Sequence, residues 1–256
     1  MKSIEESVVT AMDGSNPLLF LYLPYILQDI WELGASPEII INLVKKHKSN
    51  YTNLKILDLG CGKGAVSVKV AIELNCSCFG IDAINEFIEV ANLKAKEYGV
   101  DNLCKFKVGD IRTENLNEGK FDVIVLGAIG PILGNYEKTL TKLKCSLNNY
   151  GIIIIDDSYA EDKISNVDKN SQTKSSIIMD ANKAGMKLLD EVIFPKNELK
   201  SSNEFIFLKL KKRCEELIIK EPRNKNLFEE YIQIQMNENY NLENNLVCST
   251  LVFGKV

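Results

Sequence analysis

The sequence predicts an α/β fold in which a doubly wound, mainly parallel sheet carries helices on both faces. Between residues 55 and 155, short apolar runs typical of buried strands alternate with longer segments of helical apolar spacing. A glycine-rich segment, 60–64, lies between the first strand-like run and the first of these helices. Strands that alternate with helices in this way form parallel sheets with right-handed crossovers.

The composition is that of an ordinary globular chain. Its 256 residues are 45% apolar, so we expect one domain, or one domain with an appendage, that needs no disulfide or structural metal. The net charge of −4 argues against a general nucleic-acid-binding protein. The seven cysteines lack C-x-x-C spacing, which favours reduced thiols and a cytoplasmic location. The N-terminus lacks a signal-peptide layout, and the apolar run 18–27 is too short for a membrane span, which needs about 20 residues.

The first 48 residues predict two helices and no strand. Apolar pairs between residues 17 and 33 recur at helical spacing, and Gly34 is a residue type that ends helices. Ser36 and Pro37 are then typical of the start of a second helix, which runs to about His47. The sole histidine, His47, lies among lysines and is interpreted as a surface residue. We predict that residues 1–48 form a helical segment before the sheet.

Residues 49–195 are predicted to form the core that contains the sheet. The predicted strands are 55–59, 78–82, 106–108, 121–126, 151–155 and 188–194. The predicted helices are 64–74, 85–98, 135–147 and 172–184. The continuous apolar run of the strand 151–155 suits a position buried on both faces.

The last third of the chain predicts a helical insertion, 196–245, followed by a final strand in 246–256. Two polar segments, 196–220 and 224–243, carry apolar residues at helical spacing. The basic cluster at 209–213 is interpreted as a solvated helix face, because the glutamates at 215 and 216 dilute its charge.

The segment Asp58-Leu59-Gly60-Cys61-Gly62-Lys63-Gly64 is the most informative part of the sequence. Glycine lets the backbone turn sharply and approach a ligand, and the helix that follows offers free N–H groups at its start. A nucleotide-like ligand would lie over the carboxyl ends of the strands. The spacing Gly60-x-Gly62-x-x-Ala65 also satisfies a dinucleotide-binding fingerprint, so a nicotinamide cofactor stays open on this evidence.

Two carboxylates follow the next two strands. Asp82 ends the second predicted strand, where it can accept hydrogen bonds from both ribose hydroxyls of either cofactor. Asp110 follows the third strand, where it can accept an adenine amino proton. A nicotinamide-binding fold does not require this third position.

Together, the glycine segment, Asp82 and Asp110 resemble the class I S-adenosylmethionine (SAM)-dependent methyltransferases over residues 55–157. The resemblance implies a Rossmann-like sheet of seven strands, the last antiparallel, and N-terminal helices that act as a lid. It implies SAM as cofactor, with S-adenosyl-L-homocysteine as product. The implied cofactor-binding residues are Asp58, Gly60, Cys61, Gly62, Asp82, Ala83, Asp110, Ile111 and Gly127.

The resemblance also assigns parts of the cofactor to parts of the chain. Gly60, Cys61 and Gly62 would line the methionine end of SAM, and Asp82 would bind the ribose. Asp110 and the backbone of Ile111 would hold the adenine, and Gly127 would lie near the sulfonium.

The methyl acceptor is predicted to be a small molecule. Family members that methylate amino groups of DNA carry Asn-Pro-Pro-Tyr or Asp-Pro-Pro-Tyr after the fourth strand, whereas this chain has 127–131, Gly-Ala-Ile-Gly-Pro. A nucleic-acid partner is therefore not expected. Catechol-type members hold a divalent ion between the fourth and fifth strands. Asp156 and Asp157 would supply only half of such a site, so no metal is expected.

Asp157 and Tyr159, just beyond the fifth strand, are the candidate catalytic residues. A carboxylate there could act as a base, as an anchor for an ammonium group, or as a solvated loop residue. The alternative function is a SAM-binding sensor or complex subunit without transferase activity. The sequence leaves a homodimer open.

Overall fold

The computed structural model describes residues 2–116, 119–162 and 172–256. The chain divides into two compact units. We call Met1–Trp31 with Phe194–Val247 the helical unit, and Glu32–Ile193 with Cys248–Val256 the sheet unit.

The sheet unit is built on seven strands. They are β1 Lys55–Leu59, β2 Ser77–Asp82, β3 Cys104–Val108, β4 Phe121–Gly127, β5 Leu147–Tyr159, β6 Met186–Ile193 and β7 Val247–Lys255. Their order in the sheet is β3-β2-β1-β4-β5-β7-β6. Strands β1 to β5 pair in parallel, and β6 pairs antiparallel with β7. The predicted fold class is confirmed.

The described helices comprise those that alternate with the strands of the sheet unit and those of the helical unit. They are α1 Ile4–Ala11, α2 Leu23–Ile26, α3 Pro37–His47, α4 Ala65–Leu74, α5 Asn85–Glu97, α6 Tyr136–Lys144, α7 Lys174–Lys183, α8 Lys196–Lys220 and α9 Lys225–Asn244. The middle strands, β1, β4 and β5, carry continuous runs of buried residues because both faces of the sheet are covered.

The strand order creates one point where the chain reverses direction across the sheet. β1 lies between β2 and β4, so the chain winds one way from β1 to β3 and the other way from β4 to β5. The loops that follow β1 and β4 therefore leave the carboxyl edge of the sheet in opposite directions. Ligands of doubly wound sheets bind at this position.

The helix predicted over residues 17–33 is wrong in its length. The structure has a 3₁₀ turn, Pro17–Leu21, and the single helical turn of α2. Pro24 lies in the first turn of α2, where a proline is tolerated. A longer helix through this position would place its ring against the carbonyl four residues earlier and would lack one hydrogen bond.

The helical unit combines segments from both ends of the chain. α8 packs against α9, and α2 packs against α8. The ring of Tyr22 meets Phe228 edge-on at 4.9 Å between centroids, and its hydroxyl donates to Glu221 at 2.5 Å. Residues 1–31 and the predicted insertion, 196–245, thus share one core.

The division between the two units lies within the predicted N-terminal segment 1–48. It falls after Trp31, because α3 belongs to the sheet unit. α3 buries Ile40, Leu43 and Val44 and packs against α4. Within the described residues, no helix is long and apolar enough to cross a membrane.

Candidate functional site

The loop after β1 has a backbone that only glycine adopts readily. Gly60, Gly62 and Gly64 have φ angles of +70°, +52° and +74°. The amides of Gly60 and Cys61 both donate to the carbonyl of Ile81 on β2, at 2.8 and 3.1 Å. The loop is therefore fixed to the neighbouring strand, and side chains at the three glycine positions would strain it.

The three glycines differ in what surrounds them. A Cβ on Gly60 would lie 2.5 Å from Cγ2 of Ile129, and one on Gly64 would lie 2.8 Å from Cβ of Ala91. A Cβ on Gly62 would meet no described atom within 4 Å. Packing within the protein thus requires Gly60 and Gly64 to be small, whereas the open space at Gly62 leaves room for a ligand.

Asp82 links this loop to the one after β2. Its Oδ2 accepts the N–H of Gly62 at 2.8 Å, and its Oδ1 accepts the N–H of Ile84 at 2.9 Å. The side chain is nearly buried, with 8% exposed. Burial raises the pKa of Asp82, and the backbone N–H groups of Ile84, Gly62 and Ala83 oppose that rise. Each oxygen keeps lone pairs that a ligand hydroxyl can use.

Asp58 and Cys61 support the loop through contacts inside the protein. Asp58 is buried in β1 and accepts a hydrogen bond from Oγ of Ser67 on α4, at 2.7 Å. Burial raises the pKa of Asp58 to about 6. The Cys61 sulfur lies 2.8 Å from where a Cβ on Gly80 would stand, so the two small residues fit each other. Burial also raises the pKa of the Cys61 thiol.

Asp110 forms an ion pair with Arg112, two residues further along the chain. The Arg112 side chain binds it through Nε to Oδ1 at 2.9 Å and Nη2 to Oδ2 at 2.7 Å. This guanidinium lowers the pKa of Asp110. Lys142 donates to the carbonyls of Ile111 and Arg112 at 3.0 and 2.7 Å and fixes the same turn. An adenine amino group would therefore share Asp110 with Arg112.

Gly127, the last residue of β4, packs against the segment 34–35. A Cβ on Gly127 would lie 3.0 Å from Cβ of Ala35. A Cβ on Gly34 would lie 2.6 Å from Cβ of Ala128. Ala128 itself has a φ of +54°, a conformation that non-glycine residues seldom adopt. The segment 34–35 thus closes tightly over the end of β4.

A small pocket lies at the carboxyl ends of β4 and β5. Its space for water is about 20 Å³, enough for roughly one molecule. The lining includes Asp156 and Asp157 from β5 and Tyr136 from α6. Asp157 accepts hydrogen bonds from the Tyr136 hydroxyl at 3.0 Å and from its neighbour's amide, Ser158, at 2.8 Å. Burial raises the pKa of Asp157.

Asp156 is the second acid of this pocket. Burial and the neighbouring charge of Asp157 raise its pKa to about 7. Within the described part of the chain, its Oδ2 is buried without a hydrogen bond of good geometry, and the nearby Thr250 hydroxyl opposes the rise in pKa. Asp156 is thus poised to change protonation near neutral pH.

The two predicted catalytic residues lie on β5 and have different hydrogen-bond partners. The Tyr159 hydroxyl donates to Oε1 of Glu191 on β6 at 2.6 Å, and Glu191 also pairs with Lys174. Tyr159 is not among the described residues that line the pocket of Asp157. The tyrosine that contacts Asp157 is Tyr136. No sequence pattern links residues 136 and 157. Among the described residues, no group of three or more histidine, cysteine or acidic side chains is placed to hold a metal ion.

Comparison with known proteins identifies the family. Residues 50–239, most of the chain, match the model of the methyltransferase domain family. The chain belongs to the SAM-dependent methyltransferases. The family and the cofactor expected from the glycine loop, Asp82 and Asp110 are confirmed, whereas the roles of individual residues stay predictions.

Curated relatives match a shorter part of the methyltransferase. A ubiquinone biosynthesis O-methyltransferase of Rickettsia canadensis is 29% identical over 119 residues, which cover 46% of this chain and 48% of that protein. A release factor glutamine methyltransferase of Buchnera aphidicola is 36% identical over 86 residues, covering 33% of this chain and 31% of that protein. The chain matches at most about half the length of these relatives.

Solved structures match nearly the whole chain. A SAM-dependent methyltransferase of Thiobacillus denitrificans, solved with S-adenosyl-L-homocysteine, has a TM-score of 0.75 and 18% identity. The match covers 91% of this chain and 97% of that one. It shows a shared fold.

Proposed function

We propose that this methyltransferase moves the methyl group of SAM to a small-molecule acceptor at the carboxyl ends of β4 and β5. The observation that carries the proposal is the open space at Gly62, next to the Asp82 carboxylate that anchors the loop. A sulfonium methyl is already reactive, so in-line attack needs mainly alignment of the two reactants and exclusion of water.

The nine predicted cofactor residues divide into those that would contact SAM and those that would support them. Gly60 and Gly62 would line the methionine end of SAM, Asp82 would accept the ribose hydroxyls, and Gly127 would lie near the sulfonium. Asp110 and Ile111 would hold the adenine. The other three would support these residues without contacting SAM. The contacts of Asp58 and Cys61 lie within the core, and the Ala83 amide helps to hold Asp82.

Asp157 is the proposed acceptor contact. The hydrogen bond from Tyr136 fixes its orientation, and its raised pKa suits a group that accepts a proton. Tyr159 is proposed to be a positioning residue. Its hydroxyl is bound to Glu191 on β6, so it would help to hold the end of β5, which carries Asp157, in place. The free thiols of the seven cysteines fit a cytoplasmic enzyme.

A small-molecule acceptor is supported by the name of the Rickettsia relative, which acts in ubiquinone biosynthesis. The Buchnera relative is named for a protein substrate, so a release factor belongs in the assay beside small molecules. Transfer to a phenol or amine from a metabolite library, measured as S-adenosyl-L-homocysteine formed, would support the proposal. Binding of SAM without turnover on any acceptor would favour the sensor or complex subunit instead.

The loop assignment is tested by Gly62→Val. Its added side chain would enter the open space, so we expect the variant to lose the rise in melting temperature that SAM gives the native protein. Gly99→Val is the matched control, because Gly99 has a φ of +69° and also has no described atom within 4 Å of a built Cβ. The control has the same backbone strain away from the loop and should keep the full SAM response. A full response in Gly62→Val would refute the assignment.

A further inference from the structure

A large open pocket lies at the opposite edge of the sheet from the glycine loop. It encloses about 720 Å³ at the amino ends of β1, β4 and β5 and the end of β7. The five residues of β1 separate the two edges by about 16 Å. The pocket is therefore distinct from the proposed cofactor site. Its volume is within the range of small-molecule sites, about 300–1,000 Å³.

Three lysines from separate parts of the chain line this pocket. Lys48 follows α3, Lys120 precedes β4 and Lys255 ends β7. Each ammonium group donates to a backbone carbonyl: Lys48 to Tyr150, Lys120 to Cys145, and Lys255 to Leu147 at 2.8 Å. We call these three side chains the lysine triad.

These carbonyl contacts place the ammonium groups without neutralising them. An ammonium group has three N–H donors, and among the described residues each member of the triad makes one hydrogen bond. Each member therefore keeps donors for a ligand. Because these side chains are already held in place, binding a ligand loses less side-chain entropy.

The pocket holds more positive than negative charge. Asp122 is the carboxylate in its described lining, and its oxygens already accept the amide of Lys55 at 2.9 Å and the side chain of Asn148 at 2.6 Å. His47, which also lines the pocket, is bound to Asp190, and Asp190 pairs with Lys46 as well. Burial lowers the pKa of Lys255, and the charges of Lys120 and Lys144 lower it further. Lys120 and Lys255 thus lie close enough to repel each other, a repulsion that a bound anion would relieve.

The start of β5 brings an aromatic ring to the same pocket. Leu147 pairs with Phe121 and Ile152 with Val123, so β5 has extra residues that bulge from the ladder. The bulge presents Tyr150, whose side chain is 92% exposed. Bulges commonly redirect a side chain in this way. An exposed tyrosine beside cations offers a flat surface for a ring.

We propose that the lysine triad binds the phosphate group of a small phosphate monoester, and that Tyr150 contacts the organic part of the same molecule. A phosphate monoester carries a charge of about −1.5 to −2 at neutral pH, which matches three ammonium groups beside one carboxylate. Lysine binds phosphate as a point charge. The volume beyond the triad leaves space for a ring-sized organic group.

The proposal is tested by calorimetry on the whole chain with inorganic phosphate and with phenyl phosphate. We expect both to bind, and phenyl phosphate to bind about fivefold more tightly because its ring contacts Tyr150. Tyr150→Ala should remove that preference and leave phosphate binding unchanged. Equal affinity for the two probes in the native chain would refute the role of Tyr150.

The triad is tested by Lys120→Gln and Lys255→Gln, each measured with phenyl phosphate. Loss of one charge-assisted contact should weaken binding by about tenfold. Lys96→Gln is the matched control, since Lys96 is exposed on α5 in the same unit, and it should bind as the native chain does. Melting temperatures in chloride buffer check that each variant is folded, and Lys48→Gln replaces any that is not. Affinity unchanged in every folded triad variant would overturn the proposal.

Gly62→Val separates this site from the proposed cofactor site. The variant should lose SAM binding and still bind phenyl phosphate. Loss of phenyl phosphate binding in Gly62→Val would mean that the probe enters the glycine loop, and would overturn the proposal without affecting the cofactor assignment.

Discussion

The Asp82 carboxylate contributes both to the stability of the sheet unit and to the proposed site. It accepts the amides of Gly62 and Ile84 while one face of the glycine loop stays open. The position of Asp82 at the end of β2 suggested only ribose binding. The structure adds that the side chain holds two loops together.

Asp82→Ala should therefore have two effects. We expect SAM affinity to fall by at least about tenfold, since charge-assisted bonds to the ribose contribute about 1.5–3 kcal/mol each. We also expect the ligand-free protein to melt several degrees lower, because two buried amides lose their acceptor at a cost of about 1–3 kcal/mol each. Calorimetry and thermal melting measure the two effects. Asp101→Ala, at an exposed turn, should change neither, and unchanged SAM affinity in Asp82→Ala would exclude Asp82 from the site.

Asp156 gives a prediction of pH dependence. Its pKa is about 7 in the folded chain and near 3.8 when unfolded, so the folded state binds the proton more tightly. Asp156 therefore lowers the stability as pH rises from about 4 to 7, and the full cost remains above pH 7. We expect Asp156→Asn to raise the melting temperature at pH 8 and to have a smaller effect at pH 5. A melting difference that is the same at both pH values would contradict a raised pKa.

The role of a residue could be predicted from the sequence where it depends on that residue's own backbone conformation. Glycine at 60, 62 and 64 indicates a turn because the positive φ angles found there disfavour other residues. Roles that depend on a distant partner could not be predicted, such as the Tyr136–Asp157 hydrogen bond. Arg112 lies only two residues from Asp110, so the sequence did contain a signal for that ion pair.

At the scale of elements, the apolar patterns predicted the strands and helices of the sheet unit to within a few residues. A buried strand and an amphipathic helix are decided by local periodicity, which the sequence shows directly. The prediction for residues 17–33 was wrong because apolar spacing alone does not show how Pro24 limits the length of a helix. The bulge at the start of β5 also escaped prediction, since it depends on pairing with β4.

The core of the helical unit predicts the effect of a mutation in α9. Phe228 is fully buried and meets Tyr22 edge-on. Phe228→Ala should destabilise this unit by about 3–5 kcal/mol, because it removes apolar contacts and leaves a cavity. Hydrogen exchange in α8 and α9 measures the loss. Phe205→Ala on α8 is the control, since the Phe205 side chain is 56% exposed, and equal effects of the two variants would contradict the packing.

At the scale of the whole molecule, the sequence did not show that the two ends of the helical unit belong together. Residues 1–31 and 194–247 are separated by the entire sheet unit, and no local pattern links them. Contacts such as Arg213 with Asp29, at 2.6 Å, and Tyr25 with Glu216, at 2.5 Å, join them. Deletion of the N-terminal residues would expose the buried side chains of α8 and α9. Such a truncation cannot test whether the N-terminal helices act as a lid.

Hydrogen exchange tests the lid prediction in the intact chain. If the N-terminal helices cover bound SAM, adding SAM should slow exchange in residues 17–26, because elements that close over ligands open easily when the ligand is absent. SAM also stabilises the folded state globally, so slowing must be compared with the edge strand β6 as an internal reference. Gly62→Val, with SAM added, provides a chain that should not respond. Slowing confined to the loops of the sheet unit, with residues 17–26 unchanged, would show that these helices serve as core of the helical unit alone.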